Sequence, residues 1–200
     1  MANKSYSKNS KNIFKTIKKV ILSVFLLMII LFGAAIATFA IVVNTNNSVH
    51  KSEEITMSSK SSSNRKALVI YQPAILGSVT KDIAKNIAKG INDNNYEVTI
   101  NHPGDYVSKD VSKYSIIVFG SPVYLGNMST ALTKYIQSVS SFNDKKVILF
   151  CTGSAKLQEE FDSTKASFSG VKSIQKIKFI TSDKNLDKEA YDIGKKQSQD

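Results

Sequence analysis

The chain has 200 residues, carries 27 Lys and Arg against 16 Asp and Glu for a formal charge of +11, and holds one cysteine, Cys151. A lone cysteine excludes an intramolecular disulfide, so any domain must be held by its own core; with only His50 and His102 beside it, no zinc-ligand pattern exists either. The charge is uneven, with nine basic and two acidic residues in 1–65 against eighteen and fourteen in 66–200, which reads as attraction to anionic lipid near the amino terminus and not as nucleic-acid binding.

Residues 1–19 form a basic tail in which Lys4, Lys8, Lys11, Lys15, Lys18 and Lys19 stand without an acid. Val20 to Val43 then runs for 24 residues without a charge. As a helix it rises roughly 36 Å at about 1.5 Å per residue, enough to cross a hydrocarbon core of about 30 Å. The flank after it is mixed, with Lys51 answered by Glu53 and Glu54. Lysine-rich flanks stay inside, so the expectation is a single-pass anchor in the cytoplasmic membrane, amino terminus inside and the remainder outside. A cleavable signal peptide is the other reading, because Ala35-Ile36-Ala37 offers small residues for cleavage; it also places the remainder outside. Residues 44–65, centred on Ser58-Ser-Lys-Ser-Ser-Ser-Asn64, are too polar to bury a core and are expected to be a flexible linker.

From Lys66 to Asp200 short apolar runs alternate with amphipathic ones. Ala67–Tyr71 is expected as a buried strand, and Thr80–Asn92 as a helix with Ile83, Ala84, Ile87, Ala88 and Ile91 on one stripe. Tyr96–Ile100 reads as a second strand, Asn101–Tyr114 as a loop broken by Pro103-Gly104, and Ser115–Phe119 as a third strand. Ser129–Val139 is a helix with Leu132, Tyr135, Ile136 and Val139 inward. Lys146–Cys151 is a fourth strand, Gln158–Ala166 a weaker helix, Ile174–Ile180 a fifth strand and Leu186–Gln197 a closing helix. Such alternation predicts an α/β fold with a doubly wound parallel sheet. Ligands of open α/β sheets bind outside the carboxyl ends of the strands, where strand order reverses.

That rule selects three loops. Gln72-Pro73-Ala74-Ile75-Leu76-Gly77-Ser78-Val79-Thr80 enters the first helix, where amides and the Ser78 and Thr80 hydroxyls suit a phosphate. An ordinary helix cap explains the same residues. Pro122-Val123-Tyr124-Leu125-Gly126-Asn127 exposes an aromatic able to stack on a planar ligand, or one that only covers the sheet end. Thr152-Gly153-Ser154, in the third loop Thr152–Ala155, brings small residues beside the same crevice. No acid, base or nucleophile stands out: His102 reads as a surface residue and Cys151 as a packed thiol.

Phe119-Gly-Ser-Pro-Val-Tyr-Leu-Gly-Asn-Met-Ser129, taken with Leu68-Val-Ile-Tyr-Gln-Pro73 leading to Thr80, resembles the flavodoxin family, in particular its protoporphyrinogen-oxidase-type branch. The resemblance spans roughly residues 66–200. It implies a five-stranded parallel sheet ordered 2-1-3-4-5 that binds FMN non-covalently and transfers electrons. Gln72–Thr80 would hold the phosphate, while Pro122–Asn127 and Thr152–Ser154 would flank the ring. It implies a redox partner protein or a membrane quinone as the other party. Where the family has hydroxyls early in the phosphate loop, this chain has Pro73, Ala74 and Ile75. Two alternatives follow: an FMN-free module for binding or assembly at the membrane, or a quinone- or porphyrinogen-linked oxidoreductase.

Overall fold

The computed structural model describes residues 3–154 and 159–199. The chain divides into two units, residues 1–43 and 44–200.

The first unit is one helix. Helix α1 covers Asn3–Asn46, and its stretch Ile13–Asn46 reaches a mean hydropathy of 3.0 in its most apolar window, long and apolar enough to cross a membrane. Apolar side chains along it, Phe25, Leu31 and Phe39 among them, are exposed. A core helix of a soluble domain would bury such a stripe.

The second unit is a sheet between helices. In chain order it contains β1 (Ile55–Met57), β2 (Lys66–Tyr71), α2 (Val79–Asn92), β3 (Glu97–Asn101), β4 (Ile116–Tyr124), β5 (Asn127–Met128), α3 (Thr130–Ser138), β6 (Lys146–Gly153), a 3-10 helix (Glu159–Ser167), β7 (Ser173–Ile180) and α4 (Leu186–Gln197). The sheet runs β1-β3-β2-β4-β6-β7, with β5 paired to β4. Its five parallel strands, β3-β2-β4-β6-β7, have the 2-1-3-4-5 order expected. The antiparallel pairs β1–β3 and β4–β5 are additions.

Both faces are covered, which is why the strands read as unbroken apolar runs. Ala67, Val69 and Tyr71 point to one face with Ile83, Ile87 and Ile91 of α2. Leu68 and Ile70 point to the other with Leu132, Tyr135 and Ile136 of α3. Helix α2 also packs on α4 with little room. A Cβ on Gly90 would lie 2.2 Å from the Tyr191 carbonyl oxygen, and one on Gly194 would lie 2.1 Å from that of Ile87. Two glycines let these backbones meet.

Four expectations need correction. Residues 44–65 are not simply a flexible linker: Ile55, Thr56 and Met57 pair with Ile100, Thr99 and Val98 as an edge strand. Their alternating half-buried and exposed positions fit an edge, and the short run hides it among serines. Strand β4 continues to Tyr124, so Pro122-Val123-Tyr124 is strand and turns back through β5. The weak helix is of the 3-10 type over Glu159–Ser167; its expected first residue, Gln158, lies outside the described residues. His102 is buried, not on the surface.

Candidate functional site

The strand order reverses at β2, and the carboxyl ends of β2, β4 and β6 lie side by side there, where such sheets form their ligand crevice. From the end of β2 the chain turns through residues 73–78 into α2. Gly77 adopts φ +81°, a left-handed conformation natural to glycine. A Cβ there would meet nothing within 4 Å, so the loop bows outward. Pro73, Ala74 and Ile75 are half-buried, while Leu76, Gly77 and Ser78 are exposed. No side-chain bond from Ser78 caps α2. The first amides of the helix have no carbonyl partner within it and remain donors for an anion.

The two loop hydroxyls have separate partners. Ser78 Oγ donates to Asp82 Oδ2 at 2.5 Å. Thr80 is buried, and its hydroxyl lies 2.7 Å from that of Thr152. This bond ties the start of α2 to the end of β6, so Thr80 and Thr152, read from different loops, come together. Val79, at the start of α2, is half-buried.

Across the crevice, Pro122 is buried and Val123 and Tyr124 are half-buried in the β4–β5 hairpin. Leu125 and Gly126 form its turn with φ +54° and +76°, the two left-handed residues that a tight hairpin requires. Leu125 stands 71% exposed and Asn127 is exposed beside it. Burial raises the Tyr124 hydroxyl above its ordinary range. Gly153 is half-buried at the end of β6 and Ser154 is exposed beyond it. Ala155, at the end of the third loop, lies outside the described residues.

Beneath this end of the sheet, Cys151 is fully buried, and burial raises its thiol further. It packs as a small apolar group, as the sequence suggests. Near it Lys178 Nζ bonds Glu160 Oε1, with the two side chains 8% and 1% exposed. The second Glu160 oxygen is buried without a partner. The sequence did not single out this pair, because β7 and the 3-10 helix meet only in the fold.

Gln72 does not point freely into the crevice. It is fully buried, and its Nε2 donates to the carbonyls of Asn46 at 2.8 Å and Ser48 at 3.0 Å. Ser129 Oγ donates to the same Asn46 carbonyl at 2.7 Å, and the Thr130 amide donates to Asn47 Oδ1 at 2.9 Å. Residues that follow the apolar run therefore reach the reversal in strand order. Nothing in the composition of residues 44–52 announces it.

His102 belongs to the same region. Its Nδ1 lies 2.9 Å from the Lys51 carbonyl oxygen and its Nε2 lies 3.2 Å from the Tyr71 hydroxyl and 3.5 Å from Glu53 Oε2. Burial, then the charges of Glu53 and Asp82, push the Tyr71 hydroxyl up to about 12.

FMN suits part of this frame. Outward-bowed Gly77 and the uncapped α2 amides accommodate a phosphate, and half-buried Tyr124 beside Gly126 accommodates a flat ring. The Asp82 carboxylate, with Ser78 bonded to it, and the apolar Pro73, Ala74 and Ile75 are contrary features.

Comparison with known proteins agrees with the fold. The flavodoxin domain family matches residues 74–196, well over half of the chain. An uncharacterized protein of Methanocaldococcus jannaschii is 33% identical over 97 residues, which cover 48% of this chain and 60% of that protein. Among solved structures, an archaeal flavodoxin superposes with TM-score 0.52 at 21% identity, covering 66% of this chain and 96% of its own. The two-electron-reduced flavodoxin of Megasphaera elsdenii gives 0.51 at 17%, covering 65% and 98%. The rubredoxin:oxygen oxidoreductase of Desulfovibrio gigas gives 0.53 at 13%, covering 68% of this chain and 35% of its own.

Proposed function

Since the chain belongs to the flavodoxin domain family, we propose that it is a membrane-anchored flavodoxin-like protein that binds FMN non-covalently and carries electrons. The observation that carries this reading is the parallel sheet with its reversal of strand order at β2, where the Gly77 loop and the β4–β5 hairpin leave the carboxyl ends of neighbouring strands.

FMN, when bound, supplies the redox chemistry by taking up and giving up electrons. The chain's own residues bind and orient. The amides of Val79 and Thr80 at the start of α2 would hold the phosphate, with Gly77 giving the backbone room. Thr80 and Thr152 lock the start of α2 to the end of β6. Tyr124 and Leu125 would cover one face of the ring and exclude water from it, and Gly153 and Ser154 would lie along its edge. With Pro73, Ala74 and Ile75 in place of hydroxyls, binding relies on amides. Each missing charge-assisted bond weakens it by about 1.5–3 kcal/mol.

Helix α1 supplies the anchor in this reading, with residues 20–43 in lipid, the lysine tail inside and the domain outside. A tether raises the effective concentration of a redox partner held in the same membrane, whether a protein or a quinone. The protoporphyrinogen-oxidase-type likeness of Phe119–Ser129 extends the reading to lipophilic substrates, against which turnover is to be assayed. Visible absorption of the purified full chain, titrated with FMN, tests the cofactor; labelling of cysteines engineered at Ser58–Asn64 in intact cells tests the topology.

A second reading, an FMN-free binding module, has one observation in its favour: Ser78 is bonded to a carboxylate instead of standing free for a phosphate. A protein that leaves FMN fluorescence unchanged would favour it.

A further inference from the structure

The segment Asn46–Glu53 lies along the carboxyl end of the sheet and is held chiefly through its main chain, with Asn47 Oδ1, Ser52 Oγ and the Glu53 carboxylate adding side-chain ties. Gln72 reads the carbonyls of Asn46 and Ser48. The Tyr106 hydroxyl donates to the His50 carbonyl at 2.7 Å, and His102 meets that of Lys51. Asn101 Oδ1 accepts from the Glu53 amide at 2.9 Å. Almost no apolar surface secures it: Val49 is 62% exposed, and Lys51 through Glu54 are exposed. Two buried acceptors here, Asn46 Oδ1 of the segment and Oε1 of Gln72 that bonds it, have no partner. A segment tied by exchangeable hydrogen bonds, with Asn46 its one buried side chain and no buried apolar side chain to anchor it, belongs to the low-stability end of a fold.

We propose that Asn46–Glu53 is a releasable latch. Seated, it covers the donors of Gln72, Ser129 and the start of α3 at the reversal in strand order. Released, it uncovers those donors. A ligand that reaches Gln72 Nε2, Ser129 Oγ or the Thr130 amide and the seated latch are then alternative partners of the same donors, and filling the one favours release of the other. The latch stands on the hydrogen bonds above; only its link to a flavin rests on the function proposed.

The test uses the full chain in lipid nanodiscs with spin labels at Val49→Cys on the latch and Lys134→Cys on α3, Cys151 being buried beyond reach of the label. The double variant Asn47→Ala/Tyr106→Phe removes two ties without touching the crevice loops. Each lost tie raises the released fraction about two- to tenfold, and apparent flavin affinity rises with that fraction. The expected result is a short, narrow distance that becomes long and broad in the variant, with FMN binding at least about fourfold tighter. An unchanged distance would overturn the latch. A broadened distance with unchanged FMN affinity would overturn its link to the site. A broadened distance in a protein that binds no FMN in either form would support the latch and refute the flavin reading.

Discussion

Ser78 and Asp82 show how one carboxylate redirects a loop. A serine before a helix ordinarily bonds a first-turn amide; here its hydroxyl is 2.5 Å from Asp82 and gives none. Asp82→Asn removes the charge from the proposed phosphate position, and FMN is expected to bind about tenfold tighter, a change of about 1.4 kcal/mol. Fluorescence quenching measures it, and an equal or weaker affinity would place the phosphate elsewhere. The buried pair of Lys178 and Glu160 gives a second expectation. Lys178→Met leaves a buried carboxylate unpaired and is expected to lower stability by about 3–5 kcal/mol in denaturant unfolding. A loss below about 1 kcal/mol would mean that the pair is open to water. His50 gives a third. Burial, then neighbouring His102, lowers its pKa below 6.5, and its Nε2 is buried without a partner. A base with a lowered pKa stabilises the seated latch fully above pH 6.5 and loses that contribution as pH falls through its seated value. His102, Tyr71, Tyr106, Glu53 and Lys81 are titratable groups beside it. Amide exchange across residues 47–53, corrected for its intrinsic pH dependence, is expected to speed up from pH 7.5 to pH 5.5. At this scale the sequence was readable where chemistry is local, as at Cys151, and misleading at His102, whose burial comes from contacts with Lys51 and Tyr71 far away in the chain.

Among the elements, the long amphipathic and buried segments were legible and the short polar ones were not. Helices α2 and α3 announce themselves by period and lie within a residue of where the period puts them. The order of the parallel strands followed from the family resemblance, not from the pattern itself. Strand β1 escaped because three half-exposed residues at an edge need no apolar run. Strand β4 ran further than its apolar core because Pro122 stands where the strand pairs with the end of β6, without needing its own amide. The close crossing of α2 and α4 was invisible too, since a glycine in a helix reads as a weakness until its neighbour is known. Gly90→Ala would place a methyl group 2.2 Å from the Tyr191 carbonyl oxygen. Despite alanine's better helix propensity, it is expected to destabilise the domain by about 1–3 kcal/mol and to lower the melting temperature by several degrees. A neutral or stabilising result would mean that the two helices separate more readily than their packing implies.

For the molecule as a whole, two units of different composition share one chain. The first 43 residues carry an apolar helix that no globular core needs, and the remainder folds around a sheet whose ligand end is reached by the residues that follow that helix. The FMN proposed at that end of the sheet is the claim on which the functional reading turns. Flavin occupancy tests this claim most directly. The full chain, purified in detergent and titrated with FMN, is expected to take up about one flavin per chain with its fluorescence quenched and its visible bands shifted from those of free FMN. A colourless protein that leaves FMN fluorescence unchanged, in the wild type and in Asn47→Ala/Tyr106→Phe alike, would contradict it and leave a flavodoxin fold kept for binding alone.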